Sequence, residues 1–298
     1  MTYAIETDNL GKRYGKHWAL QNCTLHIPLG SVTGLVGLNG AGKTTLMQML
    51  AGLLEPTVGT LRVLDTVPSL EATGWLRRIG FVAQDHALYK HFSVREMLLL
   101  GRKLNPGWDN TLAQEALERL HIPTARRVGK LSGGQQTLLA LVLALAKRPE
   151  LLLLDEPFGN MDPLAQQEFM KMLMEAVVNH HVTVLLSSHR TQDLEQICDY
   201  LVILASANVQ VAGEVESLLN THKRLIGPEA DFASLAKTHK VIQASHAGRQ
   251  SQAVVKLNGS VNNPDWEFED ISLADLILVY LSLQVAEQAI PELQEVHK

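Results

Sequence analysis

Three short runs along the chain are apolar at almost every position: "SVTGLVG" (31–37), "ELLLLDE" (150–156) and "VTVLLSSH" (182–189). Their length and composition predict strands buried on both faces. Between them the apolar residues recur at helical spacing, from Leu46 to Leu54, in "QTLLALVLALA" (136–146) and in "PLAQQEFMKMLMEAVV" (163–178). Continuous apolar strands alternating with helices predict an α/β core with a parallel sheet covered on both sides. The first thirty residues differ. "YAIETDNLGKRYG" (3–15) and "ALQNCTLHIPLG" (19–30) partly alternate and read as strands, with turns at Gly15 and Pro28–Gly30. "EPTVGTLRVL" (55–64) gives a turn and a strand, and "RRIGFVAQ" (77–84) a strand ending at Gln84.

From Ala87 to about Lys130 the pattern is helical and interrupts the strand series, so a helical block is inserted into the core. "SVREMLLLGRKL" opens with Ser93 three residues before Glu96, a capping box. After about Asn220 the character changes. "HKVIQAS" (239–245) and "QAVVKLNG" (252–259) predict a hairpin connected by His246 to Ser251. "DISLADLILVYLSLQVAEQA" (270–289) predicts an amphipathic helix starting near Ser272, with Leu273, Leu276, Ile277 and Tyr280 on one stripe. The expected organisation is a main domain over 1–219 and a small C-terminal α+β accessory domain over 220–298.

Composition narrows the classes. Of 298 residues, 46% are hydrophobic and 19% charged, as in soluble globular proteins. The net charge of −5 gives no basis for nucleic-acid binding driven by bulk charge. Cys23 and Cys198 lack any metal or redox spacing and read as reduced, buried thiols. The first residues have no apolar stretch of signal-peptide type, and the longest apolar run, Thr137–Ala146, covers about half a bilayer at helical rise. A cytoplasmic protein is expected.

"GLNGAGKT", Gly37 to Thr44, matches the phosphate-loop pattern and lies between a predicted strand and helix. Gly37, Gly40 and Gly42 let the backbone curl so that successive N–H groups face phosphate oxygens, and the following helix adds its positive end. Lys43 brings a full charge to the outer phosphates, and the Thr44 hydroxyl is a candidate Mg²⁺ ligand. "LLLLDEP" carries Asp155 to the C-terminal edge of the sheet, where it can hold Mg²⁺ directly or through water. Glu156, next along, can orient or deprotonate an attacking water.

"GLNGAGKTT", "LSGGQQ", "LLLLDEP" and "SSH", in this order and spacing, resemble the nucleotide-binding domain of ATP-binding cassette (ABC) proteins over about Thr2 to Leu219. The resemblance implies a P-loop NTPase fold: a RecA-like parallel sheet, an antiparallel β subdomain and an inserted α-helical subdomain over about 87–137. It implies an ATPase using ATP and Mg²⁺. Asn39, Ala41 and Thr45 would join the phosphate loop. Tyr14 takes the place of the aromatic that stacks on adenine, with Trp18 a weaker candidate. Gln84 matches the glutamine that senses Mg²⁺ and water, and His189 the histidine that contacts the γ-phosphate. Asp162 matches the acidic residue that signals across the dimer. In such proteins the loop formed here by Ser132, Gly133, Gly134 and Gln135 caps the γ-phosphate held by a second subunit. Leu139 and Val142 stand where arginines are common in the family, a departure that bears on local salt bridges and not on ATP binding.

The resemblance further implies two partners: a second nucleotide-binding subunit, identical or not, and a separate transmembrane permease that holds the chain at the inner face of the cell membrane. "ISLADLILVYL" and "NPGWD" resemble segments of ATPases serving drug, antibiotic or peptide exporters. Two other readings are weighed. A non-transport ABC ATPase acting on ribosome or DNA usually has tandem cassettes or long coiled-coil inserts, and this chain has one cassette and a mildly acidic balance. A module that holds ATP without turnover is disfavoured by intact Glu156, His189 and "LSGGQ". No nucleic-acid partner is expected.

Overall fold

The computed structural model describes residues 2–69, 73–85, 88–159, 161–259 and 266–283. In chain order the first half contains β1 (Tyr3–Tyr14), β2 (His17–Pro28), β3 (Val32–Val36), α1 (Lys43–Leu50), β4 (Val58–Val63), α2 (Thr73–Arg78), β5 (Ile79–Val82), α3 (Val94–Leu104), α4 (Asn110–Arg119) and α5 (Gly133–Leu145). There follow β6 (Leu151–Asp155), α6 (Pro163–His180), β7 (Thr183–Ser188), α7 (Thr191–Glu195), β8 (Tyr200–Ala205), β9 (Asn208–Glu214) and α8 (Val215–Thr221). The C-terminal part contains β10 (His222–Pro228), α9 (Phe232–Thr238), β11 (Lys240–Ala247), β12 (Gln250–Lys256), β13 (Glu267–Asp270) and a helix over 273–283, here α10.

The central sheet has the order β5-β6-β7-β3-β8-β9 and is parallel except for the β8–β9 pair. Its strands carry apolar residues at every position because both faces are covered. Leu151 and Leu153 of β6 join the apolar cluster that contains α1 and the three-stranded antiparallel sheet β2-β1-β4. Leu152 and Leu154 join the other cluster, with α3 to α6. All four are fully buried, each stabilising the fold by about 1.5–3 kcal/mol relative to exposure. This strand order also sets the site. The C-terminal ends of β5, β6, β7 and β3 are neighbours, so whatever follows those strands meets along one edge.

The inserted helical block begins later than the pattern indicates. The described residues before Ser93 are a turn (Phe92 N–H to Tyr89 C=O, 2.9 Å), and α3 starts only where the Ser93–Glu96 capping box supplies partners for its first N–H groups. The Ser93 backbone and hydroxyl hydrogen bonds hold the Glu96 carboxyl below its ordinary range. Other boundaries also move. α1 runs Lys43–Leu50 rather than Leu46–Leu54, because it begins where Gly42 releases the chain from a left-handed φ of 104° and is followed by Gly52 at φ 70°. Arg77 and Arg78 belong to α2, whose buried Trp75 packs on the core, and β5 ends at Val82, leaving Gln84 in a turn. α5 starts at Gly133, not Gln136, because Ser132 and Gln135 form a second capping box.

Behind residue 221 the strands form a separate antiparallel sheet, β11-β12-β10-β13. The expected hairpin is β11–β12, but its strands run on to a tight turn at Gly248 (φ 66°) and Arg249, so His246 and Ser251 pair within the ladder. One face of this sheet packs Leu225, Val255 and Trp266 with Leu235 of α9. On the other, Ile242 and Val254 share an apolar cluster with Leu273, Leu276, Ile277 and Tyr280 of α10 and with Leu194 and Leu218. α10 follows Ser272 as expected, with the Ser272 hydroxyl accepting the Asp275 N–H. The rest of that predicted helix, 284–289, lies outside the described residues.

Candidate active site

β3 ends in the phosphate loop. Gly40 and Gly42 adopt φ of 82° and 104°, and a Cβ on Gly42 would lie 2.4 Å from the Ala19 carbonyl oxygen, so no other residue fits there. The loop turns back on itself (Ala41 N–H to Leu38 C=O, 3.0 Å) and leads into α1. Lys43, the first residue of α1, is 95% buried, with 5% relative exposure. Its ammonium donates to the Gly37 carbonyl at 2.8 Å and lies 3.1 Å from Glu156 Oε1.

β6 delivers the two carboxylates to different places. Asp155 is buried, and its Oδ1 accepts the Ser187 hydroxyl at 2.7 Å. Ser187 in turn accepts the Glu156 N–H at 2.8 Å, so one hydroxyl from the neighbouring strand β7 ties both residues. Glu156 takes a left-handed φ of 45°, uncommon for a residue with a Cβ and worth about 1 kcal/mol or more of backbone strain. The turn swings its side chain away from the strand. Its Oε2 lies 3.2 Å from His189 Nδ1 while Oε1 faces Lys43, so the glutamate bridges the two. Removing one partner of a buried ion pair leaves the other charge desolvated and unpaired.

These groups face a cleft of about 960 Å³. Asn39, Gly40, Gly42, Lys43, Thr44 and Thr45 supply the phosphate-loop part of its lining, and Gln84, Glu156 and His189 the part from the ends of β5, β6 and β7. Asp155 lies behind Glu156, Gly37 contributes its carbonyl to Lys43, and Ala41 is buried beneath the loop. Tyr14 is not among the lining residues. Its ring is half exposed, with Lys12 Nζ 5.6 Å from its centroid, and His17 and Ala19 of β2 line the cleft instead.

Ser132, Gly133, Gly134 and Gln135 form the start of α5 and none of them lines this cleft. Ser132 Oγ accepts the Gln135 N–H at 3.2 Å and Gln135 Oε1 accepts the Ser132 N–H at 3.2 Å. Asp162 caps α6 by accepting the N–H groups of Leu164 and Ala165, each at 3.0 Å. Leu139 and Val142, at positions where the resemblance makes arginine common, are fully buried on the inner side of α5. Ser187, His17 and the buried Asp193 are contributors that the sequence patterns did not single out. The doubled serine before His189 was the available signal for Ser187.

A glycine-rich loop between β3 and α1, facing an acidic residue at the end of an adjacent parallel strand, defines a P-loop nucleotide hydrolase. Comparison with known proteins narrows the class. The family model described as "ABC transporter" matches residues 20–159. The chain is 32% identical to the uncharacterized ABC transporter ATP-binding protein YxlF of Bacillus subtilis (strain 168), over 98% of both chains. It is 32% identical to the bacitracin transport ATP-binding protein BcrA of Enterococcus faecalis, over 83% of this chain and 80% of that one. The sulfate/thiosulfate import ATP-binding protein CysA of Mycobacterium tuberculosis (strain ATCC 25618 / H37Rv) is 35% identical over 72% of this chain and 62% of its own. Among solved structures, an ATP-binding subunit of an ABC transporter superposes with a TM-score of 0.66 at 25% identity, over 74% of this chain and 92% of that one. A dimeric bacterial ABC transporter cassette gives 0.63 at 25% identity, over 71% and 98%. The chain belongs to the ABC transporter ATP-binding proteins, and it is an ATPase subunit of such a transporter.

Proposed function

We propose that ATP is hydrolysed in this cleft with Glu156 as the residue that orients and deprotonates water, and that the work drives export through a separate permease. The observation that carries the reading is Glu156 suspended between Lys43 and His189 at the ends of adjacent strands. A triphosphate entering the cleft competes with Glu156 for the Lys43 ammonium. Once that ion pair is exchanged for a phosphate contact, the carboxylate stays held by His189 and by its backbone tie to Ser187, and is available to water. The Thr44 hydroxyl and the Gln84 amide oxygen line the cleft and Asp155 lies buried behind it; these oxygen groups would hold Mg²⁺ directly or through water. When bound, Mg²⁺ offsets phosphate charge.

The Ser132–Gln135 loop serves the ATP of a second copy or a close relative. Ser132 and Gly133 at its helix start are exposed, uncharged and away from the local cleft, which suits an anion brought by a partner. Tyr89 and Phe92 stack at 5.1 Å on the surface just after Gln84 and are 59% and 38% exposed, a suitable seat for a permease segment. Among the described residues no helix is long and apolar enough to cross a membrane, so association with the inner face of the membrane would come through that permease. Residues 1–219 act as the nucleotide-binding domain and 220–298 as an accessory domain. Export is favoured over import because the similarity to YxlF and BcrA extends over more of the chain than the similarity to the importer CysA.

Glu156→Gln tests the reading. It should retain ATP, lose turnover by roughly a hundredfold or more, and run as a dimer on size exclusion with light scattering only when ATP is present. A variant that stays monomeric at saturating ATP, or turns over normally, overturns it.

A further inference from the structure

His189 is half exposed and sits on a loop, yet its role requires a fixed position beside Glu156. What holds that loop runs away from the cleft. The Arg190 N–H donates to Ser188 Oγ at 3.0 Å. Asp193, 3% exposed, gathers the segment: its Oδ1 accepts Gln166 Nε2 of α6 at 2.6 Å, and Arg190 Nε lies 3.6 Å from its Oδ2. Gln166 stands in the first turn of α6, whose cap is Asp162. One residue on, Leu194 is fully buried and packs against the glycine of β3, where a Cβ on Gly34 would lie 3.3 Å from Leu194 Cδ2.

The segment then meets the C-terminal part of the chain. Glu195, the last residue of α7, accepts the Ala274 N–H through Oε1 at 3.1 Å. Ala274 lies in the first turn of α10, where backbone N–H groups have no intrahelical partner, so a carboxylate from the 1–219 part completes the cap that Ser272 begins. Leu194 belongs to the same apolar cluster as Leu273, Leu276 and Ile277 of α10. Further along α10, the Tyr280 hydroxyl bonds buried His222 at 2.9 Å, at the start of β10. α10 is thereby fastened to the C-terminal sheet at one end and to α7 at the other.

We propose that α10 braces α7 and thereby sets the position of His189, with Glu195 as the positioning residue. The accessory part is then a component of the hydrolytic cycle: displacing α10 releases α7 and slows turnover without touching the phosphate loop. This rests on His189 being required for hydrolysis.

The test uses the full chain with saturating Mg-ATP. Glu195→Ala should lower kcat by roughly three- to tenfold, within the range that packed networks transmit, with KM for ATP unchanged and the melting temperature lowered by a few degrees at most, roughly, from the lost cap. Amide exchange over 188–196 should accelerate in the same variant. Glu195→Gln, which keeps an acceptor oxygen, should restore most of kcat. Tyr280→Phe, at the far end of α10, should reproduce the kcat loss in part. A Glu195→Ala variant with parental kcat and parental exchange overturns the brace, as does a loss confined to KM. His189→Ala is run beside them: if it hydrolyses ATP at the parental rate, the reading of the site has failed, whatever Glu195 does.

Discussion

Two glycine-containing helix starts in this molecule use the same physics under different conditions. At α1 the loop holds the Lys43 charge, and Glu156 and His189 line the same cleft from the ends of β6 and β7. At α5 Ser132 and Gly133 are exposed and uncharged, and the Ser132 and Gln135 side chains each accept the other residue's backbone N–H. Both begin with backbone N–H groups at the positive end of a helix, which favours an anion. The first has a counter-charge of its own and can bind a triphosphate alone. The second has none; under the proposed function it meets the anion of a second subunit.

Substitutions at the two loops should therefore fail differently. Lys43→Ala carries the largest expected effect. It removes the buried cation and leaves Glu156 with His189 as its remaining partner, and ATP affinity should fall roughly a hundredfold in a fluorescent-nucleotide titration. Unchanged affinity would break the contrast. Ser132→Arg comes next: turnover should fall about tenfold or more through the helix start, while ATP binding to the isolated monomer stays near parental. If binding disappears as well, the α5 loop belongs to the local cleft. Ser187→Ala sharpens the account of the charged side. Losing the hydroxyl that ties Asp155 to the Glu156 backbone should cost about 1–2 kcal/mol in denaturant unfolding, together with a fall in kcat larger than any change in KM.

The smallest effect is expected far from both loops. His222 Nδ1–H donates to the Leu218 carbonyl at 2.8 Å and Nε2 accepts from Tyr280, which requires the neutral ring. Burial holds its pKa below the ordinary 6.5, while burial pushes the Tyr280 hydroxyl up to about 12. A histidine with a depressed folded pKa contributes its full stability above the ordinary value and loses it as pH falls through that value toward the folded one. The melting temperature should drop by a few degrees, roughly, between pH 7 and pH 5, and His222→Gln should flatten that slope.

Much of the architecture was legible because its signals are local. The runs around Leu35, Leu153 and Leu185 are apolar at successive positions, and a strand facing two covered sides needs that pattern. The Ser93–Glu96 box marks the start of α3, and the equivalent Ser132–Gln135 box starts α5 at Gly133, ahead of the apolar run from which its helix is read. The segment 190–221 holds α7, β8, β9 and α8, none of them named from the sequence pattern. β10 and α9 were also missed: their short mixed stretches gain their shape from the sheet and cluster they join.

The candidate site divides in the same way. Backbone conformation and residue chemistry are properties of neighbours in sequence, so the sequence alone determined a phosphate loop at Gly37–Thr44 and an Asp-Glu pair at the end of an apolar strand. Which groups meet depends on strand order, and strand order is set by packing between distant segments. Only the tertiary structure decided that Glu156 stands between Lys43 and His189, that His17 rather than Tyr14 lines the cleft, and that Glu195 reaches a helix 79 residues further along the chain.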